Sequence, residues 1–170
     1  NIGQVAQFAA AGKSIAKKRL ADIAMSYGYI YVAQIAMGAD MNQTLKAIKE
    51  AESYHGPSLI IGYAPCEMHS IKKGGMTNCQ GEMKRAVDCG YWNNFRYDPR
   101  LAAEGKNPFM LDSKAPTTSY RDFIMNEARY SSLTRSNPER ADKLFAKAEH
   151  TAKDRYDYLS HLAEFYGEVK

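Results

Sequence analysis

The sequence has no apolar run approaching the roughly 20 residues that span a bilayer, which excludes a membrane helix. It has only three cysteines, Cys66, Cys79 and Cys89, at spacings that build no disulfide framework. That scarcity predicts a reduced, cytoplasmic setting. Excess basic charge is also slight. The net charge is +4, and the one tight cluster is Lys17-Lys18-Arg19, too little footprint for a nucleic-acid-binding protein. There is no signal-peptide pattern, internal repeat or low-complexity tract. The first residue is Asn1 rather than methionine, which reads as a piece of a longer or processed chain. What remains is a globular mix: 170 residues, 45% hydrophobic and 25% charged, enough for a domain with a real core.

The stretch that organises the chain is Pro57 to Lys73. Leu59, Ile60 and Ile61 form a continuous apolar run, as in a central parallel strand covered on both faces. A strand is expected over Ser58 to Ala64, ended by Pro65, which cannot donate to a sheet ladder. Cys66 follows at once. In open α/β sheets ligand sites gather at the carboxyl ends of strands, so this thiol lies where such folds do their chemistry.

Upstream, Ile2 to Ala11 is apolar and Ala-rich, and Gly12 is placed to stop a helix. Gly12-Lys13-Ser14 is not a phosphate-binding loop, because Gln7 stands where that motif needs its first glycine. A basic connector runs from Lys13 to Arg19. Leu20 to Tyr27 predicts a short helix with Leu20, Ile23 and Ala24 on one side, stopped by Gly28. Tyr29 to Ile35 is rich in β-branched and aromatic residues and predicts a strand. Asp40, with Gln43 three residues on, predicts a reciprocally capped helix over Met41 to Ser53. Met41, Leu45 and Ile48, sharing a face with Glu52, would pack on the sheet. Helix, strand, helix, strand implies parallel pairing through a right-handed crossover.

Beyond Cys66 the pattern predicts a helix over Gln80 to Cys89, a strand over Tyr91 to Tyr97, a helical turn at Leu101 to Glu104 and an edge strand at Phe109 to Leu111. Ser119 would cap one helix over Tyr120 to Thr134. Ser136-Asn137-Pro138-Glu139 opens another, with proline where its missing N–H costs least. Ala141, Leu144, Phe145, Ala148, Ala152, Tyr156, Leu159, Ala163 and Tyr166 recur at helical steps. A helix to Tyr166 would be roughly 43 Å long, its stripe lying on this chain or on a partner.

For Cys66 alone, a buried structural thiol is the plain alternative to a ligand. Cys66, His69, Cys79 and Cys89 can be drawn as a zinc site, but the spacing from Cys79 to Cys89 matches no common finger, and both read as structural. His69 reads as a polar loop residue. Tyr27, Tyr29 and Tyr31 read as packing residues, the last two on one face of a strand. Lys72 and Lys73 read as a solvated pair, or as positive charge that raises the potential of a cluster bound at Cys66.

The run from Ile23 to Cys66, with SLIIGYAPC at its end, resembles pyruvate:ferredoxin (or flavodoxin) oxidoreductases. The likeness continues through GYWNNFRYDPRLAAEGKNPFMLDSKAP into the terminal helices. It implies residues 1–117 as the carboxyl-terminal part of a thiamine-diphosphate-binding domain, the parallel-sheet half of an α/β fold. Residues 118–170 would be a helical extension packing on it. The implied enzyme decarboxylates pyruvate on Mg²⁺-bound thiamine diphosphate, forms acetyl-CoA from coenzyme A, and passes electrons through 4Fe-4S clusters to ferredoxin or flavodoxin. The complete enzyme would be a homodimer. Cys66 occupies the position of the last ligand of the cluster nearest the thiamine, followed here by Glu67-Met68-His69-Ser70 where relatives commonly have Ile-Asn-His-Gly. The Mg²⁺-diphosphate motif and three other cysteines belong upstream of Asn1. The isolated piece is therefore expected to bind no cofactor and to be inactive. The alternative is a free-standing scaffold in which Cys66 is structural and the terminal helix binds a partner.

Overall fold

The computed structural model describes residues 1–66, 71–72 and 74–168. Strands β1 (Tyr31–Ile35), β2 (Ser58–Gly62), β3 (Phe95–Tyr97) and β4 (Phe109–Leu111) form one sheet in the order β2-β1-β3-β4. β1 and β2 are parallel, while β3 and β4 add antiparallel. The α/β reading holds, with the sheet mixed rather than parallel throughout. The run Leu59-Ile60-Ile61 was expected at the centre, yet β2 is an edge strand and only half-buried. β1 is the central strand, and Tyr31, Val32 and Ala33 are fully buried.

Helix α2 (Met41–Ser53) makes the crossover between β1 and β2 and covers one sheet face, packing Ala47 and Ala51 on Tyr31, Ala33, Ile35 and Ile60. The other face lies under α1 (Leu20–Met25) and the end of α7 (Pro138–Glu168), which join Val32, Leu59, Phe95, Tyr97 and Phe109 in a second cluster. Alternation along the strands sorts these two sets, since successive side chains point to opposite faces. Asp40 Oδ1 accepts from the Gln43 backbone N at 2.9 Å, as the cap requires. The reciprocal half does not form: Gln43 Nε2 donates to Gln34 O at 3.2 Å and to Asp112 Oδ2 at 2.9 Å.

That diversion goes with a rotation of α2 from the expected face. Gln43, Thr44 and Ala47 are buried, while Met41, Leu45 and Ile48 are nearly half exposed. α1 is turned in the same sense, burying Ala21, Ala24 and Met25 and exposing Leu20 and Ile23. On α2, Gln43 faces the sheet because Gln34 and Asp112 accept from it there, whereas α1 packs Ala21, Ala24 and Met25 on an apolar cluster. The apolar stripes of both helices are left exposed.

No helix forms over Ile2 to Ala11. Gly3 and Gly12 take φ of +80° and +79°, and the chain closes on itself: Gly3 N donates to Lys13 O at 2.8 Å and Lys13 N to Gln4 O at 3.1 Å. Ile2 enters a helical cluster with Phe123, Ile124, Tyr130, Leu133 and Phe145. The remaining helices are α3 (Cys79–Asp88), α4 (Pro99–Ala103), α5 (Tyr120–Asn126) and α6 (Ala128–Ser136). One helix was expected over Tyr120 to Thr134, but it is broken at Glu127, which takes an extended conformation (φ −94°, ψ 125°). α7 runs 31 residues and spends its stripe within the chain, with Ala141 to Ala148 in the helical cluster and Leu159 under the sheet. The premise of a partner-binding terminal helix is thereby removed for that face.

Candidate functional site

Because β1 and β2 are parallel, both deliver their carboxyl ends to the same side of the sheet. The pairing runs one residue past β2, where Tyr63 N donates to Ile35 O at 2.9 Å. Trp92 Nε1 donates to the same carbonyl at 3.1 Å, fixing the indole over the strand ends. Gly62, Tyr63 and Trp92 wall a cavity of about 490 Å³, with Lys17, Arg129 and Arg155 also on its lining. Aromatic walls and basic rims at such a place suit an anionic ligand with an apolar part. Cys66 follows two residues after Ala64, half-buried, and no disulfide joins the three cysteines.

Beneath this exit lies a buried polar group. Tyr63 Oη donates to Glu127 Oε1 at 2.9 Å, and the other carboxylate oxygen accepts from Arg129 Nε. Burial and then the adjacent carboxylate push the Tyr63 hydroxyl far above its ordinary value, so it stays a donor across any working pH. Tyr91 packs edge-on to Tyr63 at 5.8 Å, and its hydroxyl shares a 2.7 Å hydrogen bond with Tyr130 Oη. Where the chain returns from beyond Cys66, Ile71 forms an antiparallel bridge with Glu127, and Lys72 N donates to Asn126 O at 2.9 Å.

The structure does not bring the sequence-predicted residues into one metal centre. Cys89 is buried, its Sγ set 3.5 Å from Ala86 O, and burial pushes its thiol up to about 12, which makes it inert. Cys79 opens α3, half-buried. His69 and Lys73, like Glu67, Met68 and Ser70, lie outside the described residues. Among the described residues, no three side chains of His, Cys, Asp or Glu converge on a point that would hold a metal ion. A 4Fe-4S cluster needs four protein ligands, so these residues do not fit a complete cluster site; Cys66 fits the provision of one ligand. Of the three tyrosines, Tyr31 is fully buried, whereas Tyr27 and Tyr29 are exposed and stack edge-to-face at 5.9 Å.

Sequence reasoning missed Tyr63, Glu127 and Arg129. Tyr63 was visible as the strand exit, but Glu127 sits in a stretch with no glycine or proline, inside an unbroken helical pattern. No local signal marks it; its role comes from a partner more than 50 residues away in sequence.

The chain, an α/β sheet covered on both faces, is similar over nearly its whole length to oxidoreductases named for pyruvate. It matches one segment of the pyruvate:ferredoxin/flavodoxin oxidoreductases. It is 58% identical over 162 residues to the pyruvate:ferredoxin oxidoreductase of Moorella thermoacetica, covering 95% of this chain and 14% of that protein. Against the pyruvate-flavodoxin oxidoreductase of Klebsiella pneumoniae the identity is 52% over the same shares. The mitochondrial NADP(+) pyruvate dehydrogenase of Euglena gracilis is 43% identical over 164 residues, 96% of this chain and 9% of that protein. The chain thus spans about 14% of the length of the first two relatives. No protein-family model matches it. No helix among the described residues is long and apolar enough to cross a membrane.

Proposed function

We propose that this chain is part of a cytoplasmic enzyme that oxidatively decarboxylates pyruvate with coenzyme A to acetyl-CoA and CO2, passing two electrons to ferredoxin or flavodoxin. The observation that carries this reading is the 58% identity sustained over 95% of the chain. In the complete, homodimeric enzyme, Mg²⁺-bound thiamine diphosphate would supply the carbanion chemistry and 4Fe-4S clusters the one-electron path. Residues 1–117 form the end of the thiamine-diphosphate-binding domain in this reading, and 118–170 the helical extension. This segment supplies a rigid strand end, the aromatic and basic wall of the cavity, and the Cys66 thiolate as one cluster ligand.

The exposed stripes on α1 and α2 support the same reading. Leu20, Ile23, Met41, Leu45 and Ile48 are each about half exposed, although the sequence patterns them as helix faces to be covered. Their proposed cover is the remainder of the polypeptide, which in the relatives makes up most of the length.

The test is Cys66→Ser in the full-length polypeptide. The expected result is loss of iron and sulfide amounting to one cluster, together with loss or alteration of one paramagnetic signal on reduction. Unchanged iron content and spectra would show that Cys66 is not a ligand.

A further inference from the structure

The chain pays an unusual structural cost at one position: Glu127 interrupts what its sequence codes as a single helix. Its extended conformation stops α5 at Asn126, and its carbonyl starts α6 by accepting from Tyr130 N and Ser131 N at 3.1 Å each. The released backbone is used at once. Ile71 bridges to Glu127 and Lys72 N bonds to Asn126 O, so the chain returning from Cys66 is sewn to this break. The Glu127 side chain holds the other end, accepting from Tyr63 Oη at 2.9 Å just before the chain leaves for Cys66. Glu127 is 2% exposed, Ile71 3% and Tyr63 9%, so both attachments are made in the interior, where a hydrogen bond resists competition from water. Arg129 Nε donates to the other carboxylate oxygen and keeps the side chain aimed.

We propose that Glu127 is a positioning residue for Cys66, a clamp that fixes both ends of the segment presenting the thiol. This rests on the reading of Cys66 as a cluster ligand. A buried hydrogen bond at Tyr63, three residues before Cys66, and the bridge at Ile71 restrict where the thiolate can lie before any ligand engages it. The clamp has two separable halves, a side-chain tie to Tyr63 and a backbone tie to Ile71, and only the first is open to substitution.

The test uses the full-length polypeptide with its cofactors. Tyr63→Phe deletes the donor and leaves the Glu127–Arg129 pair; Glu127→Ala deletes the acceptor; Glu127→Gln keeps an acceptor oxygen. Hydrogen exchange of peptides covering 63–72 is expected to accelerate about five- to tenfold in Tyr63→Phe and Glu127→Ala, the loss of one buried hydrogen bond. The spectrum and midpoint potential of the cluster that Cys66 serves should shift in the same two variants and return toward the parent in Glu127→Gln. Unchanged exchange in Tyr63→Phe overturns the clamp, even if Glu127→Ala fails to fold. Faster exchange with an unmoved spectrum and potential overturns the positioning role. Failure of the ligand reading itself is recognised separately, by Cys66→Ser leaving iron and spectra intact.

Discussion

Two tyrosines in this chain make the same bond to opposite ends. Tyr31 Oη donates to Glu50 Oε2 at 2.9 Å and Tyr63 Oη to Glu127 Oε1 at 2.9 Å, each carboxylate being paired with an arginine. Around Tyr31 every charged atom is used. Arg96 donates through Nε and Nη2 to Asp112 at 2.9 and 2.8 Å and through Nη1 to Glu50 at 2.6 Å, and Gln43 adds a further bond to Asp112. Around Tyr63 the network is open: Arg129 Nη2 is buried without a partner among the described residues, on a residue that lines the strand-end cavity. A network whose charged atoms are all paired locks elements together, its one buried atom without a partner among the described residues being the neutral Gln43 Oε1; one with a spare charged donor beside a cavity leaves capacity for something more.

The difference can be broken first at its closed member. Arg96→Leu strands two partly buried carboxylates, and should lower stability in urea unfolding by about 3 kcal/mol. A loss below about 1 kcal/mol would mean that water replaces the arginine at Glu50 and Asp112 at little cost. Next in size is Tyr31→Phe, expected to cost about 1 kcal/mol, since Glu50 keeps Arg96. Its value lies in contrast with Tyr63→Phe: hydrogen exchange across 63–72 should not change, and acceleration there would show that the two networks are coupled. Smallest is Leu45→Glu on the outer stripe of α2, which should change the stability of this chain by no more than about 0.5 kcal/mol. In the full-length protein the same substitution should cut soluble yield or assembly, measured by size-exclusion chromatography. A large loss in the isolated chain would place Leu45 in its own core instead.

How far the sequence could be read follows the same divide. Features set by neighbours along the chain were legible. Asp40 marks the start of α2 at the residue where it begins, the bounds of β4 match, and Pro138 opens the long helix. Features set by distant partners were not. The apolar stripe of α2 turned outward because Gln43 is wanted beneath the sheet by Gln34 and Asp112, which no helical periodicity encodes. Ile2 to Ala11 gave up a helix for bonds to Lys13 and Arg129 and for the packing of Ile2. At the site, Cys66 could be singled out because its type and its place after a strand carry chemistry. Glu127 could not, because its meaning depends on Tyr63 and Ile71.

Helix α7 has a consequence for how the chain comes into being. It contributes Ala141, Leu144, Phe145 and Ala148 to the helical cluster and Leu159 to the sheet, so neither cluster is complete without it. Synthesis delivers residues 138–168 after all the elements they cover. On the ribosome, the sheet and the strand-end cavity would wait half-built, with Phe109 short of its cover, until this 31-residue helix emerged and closed both clusters in one step.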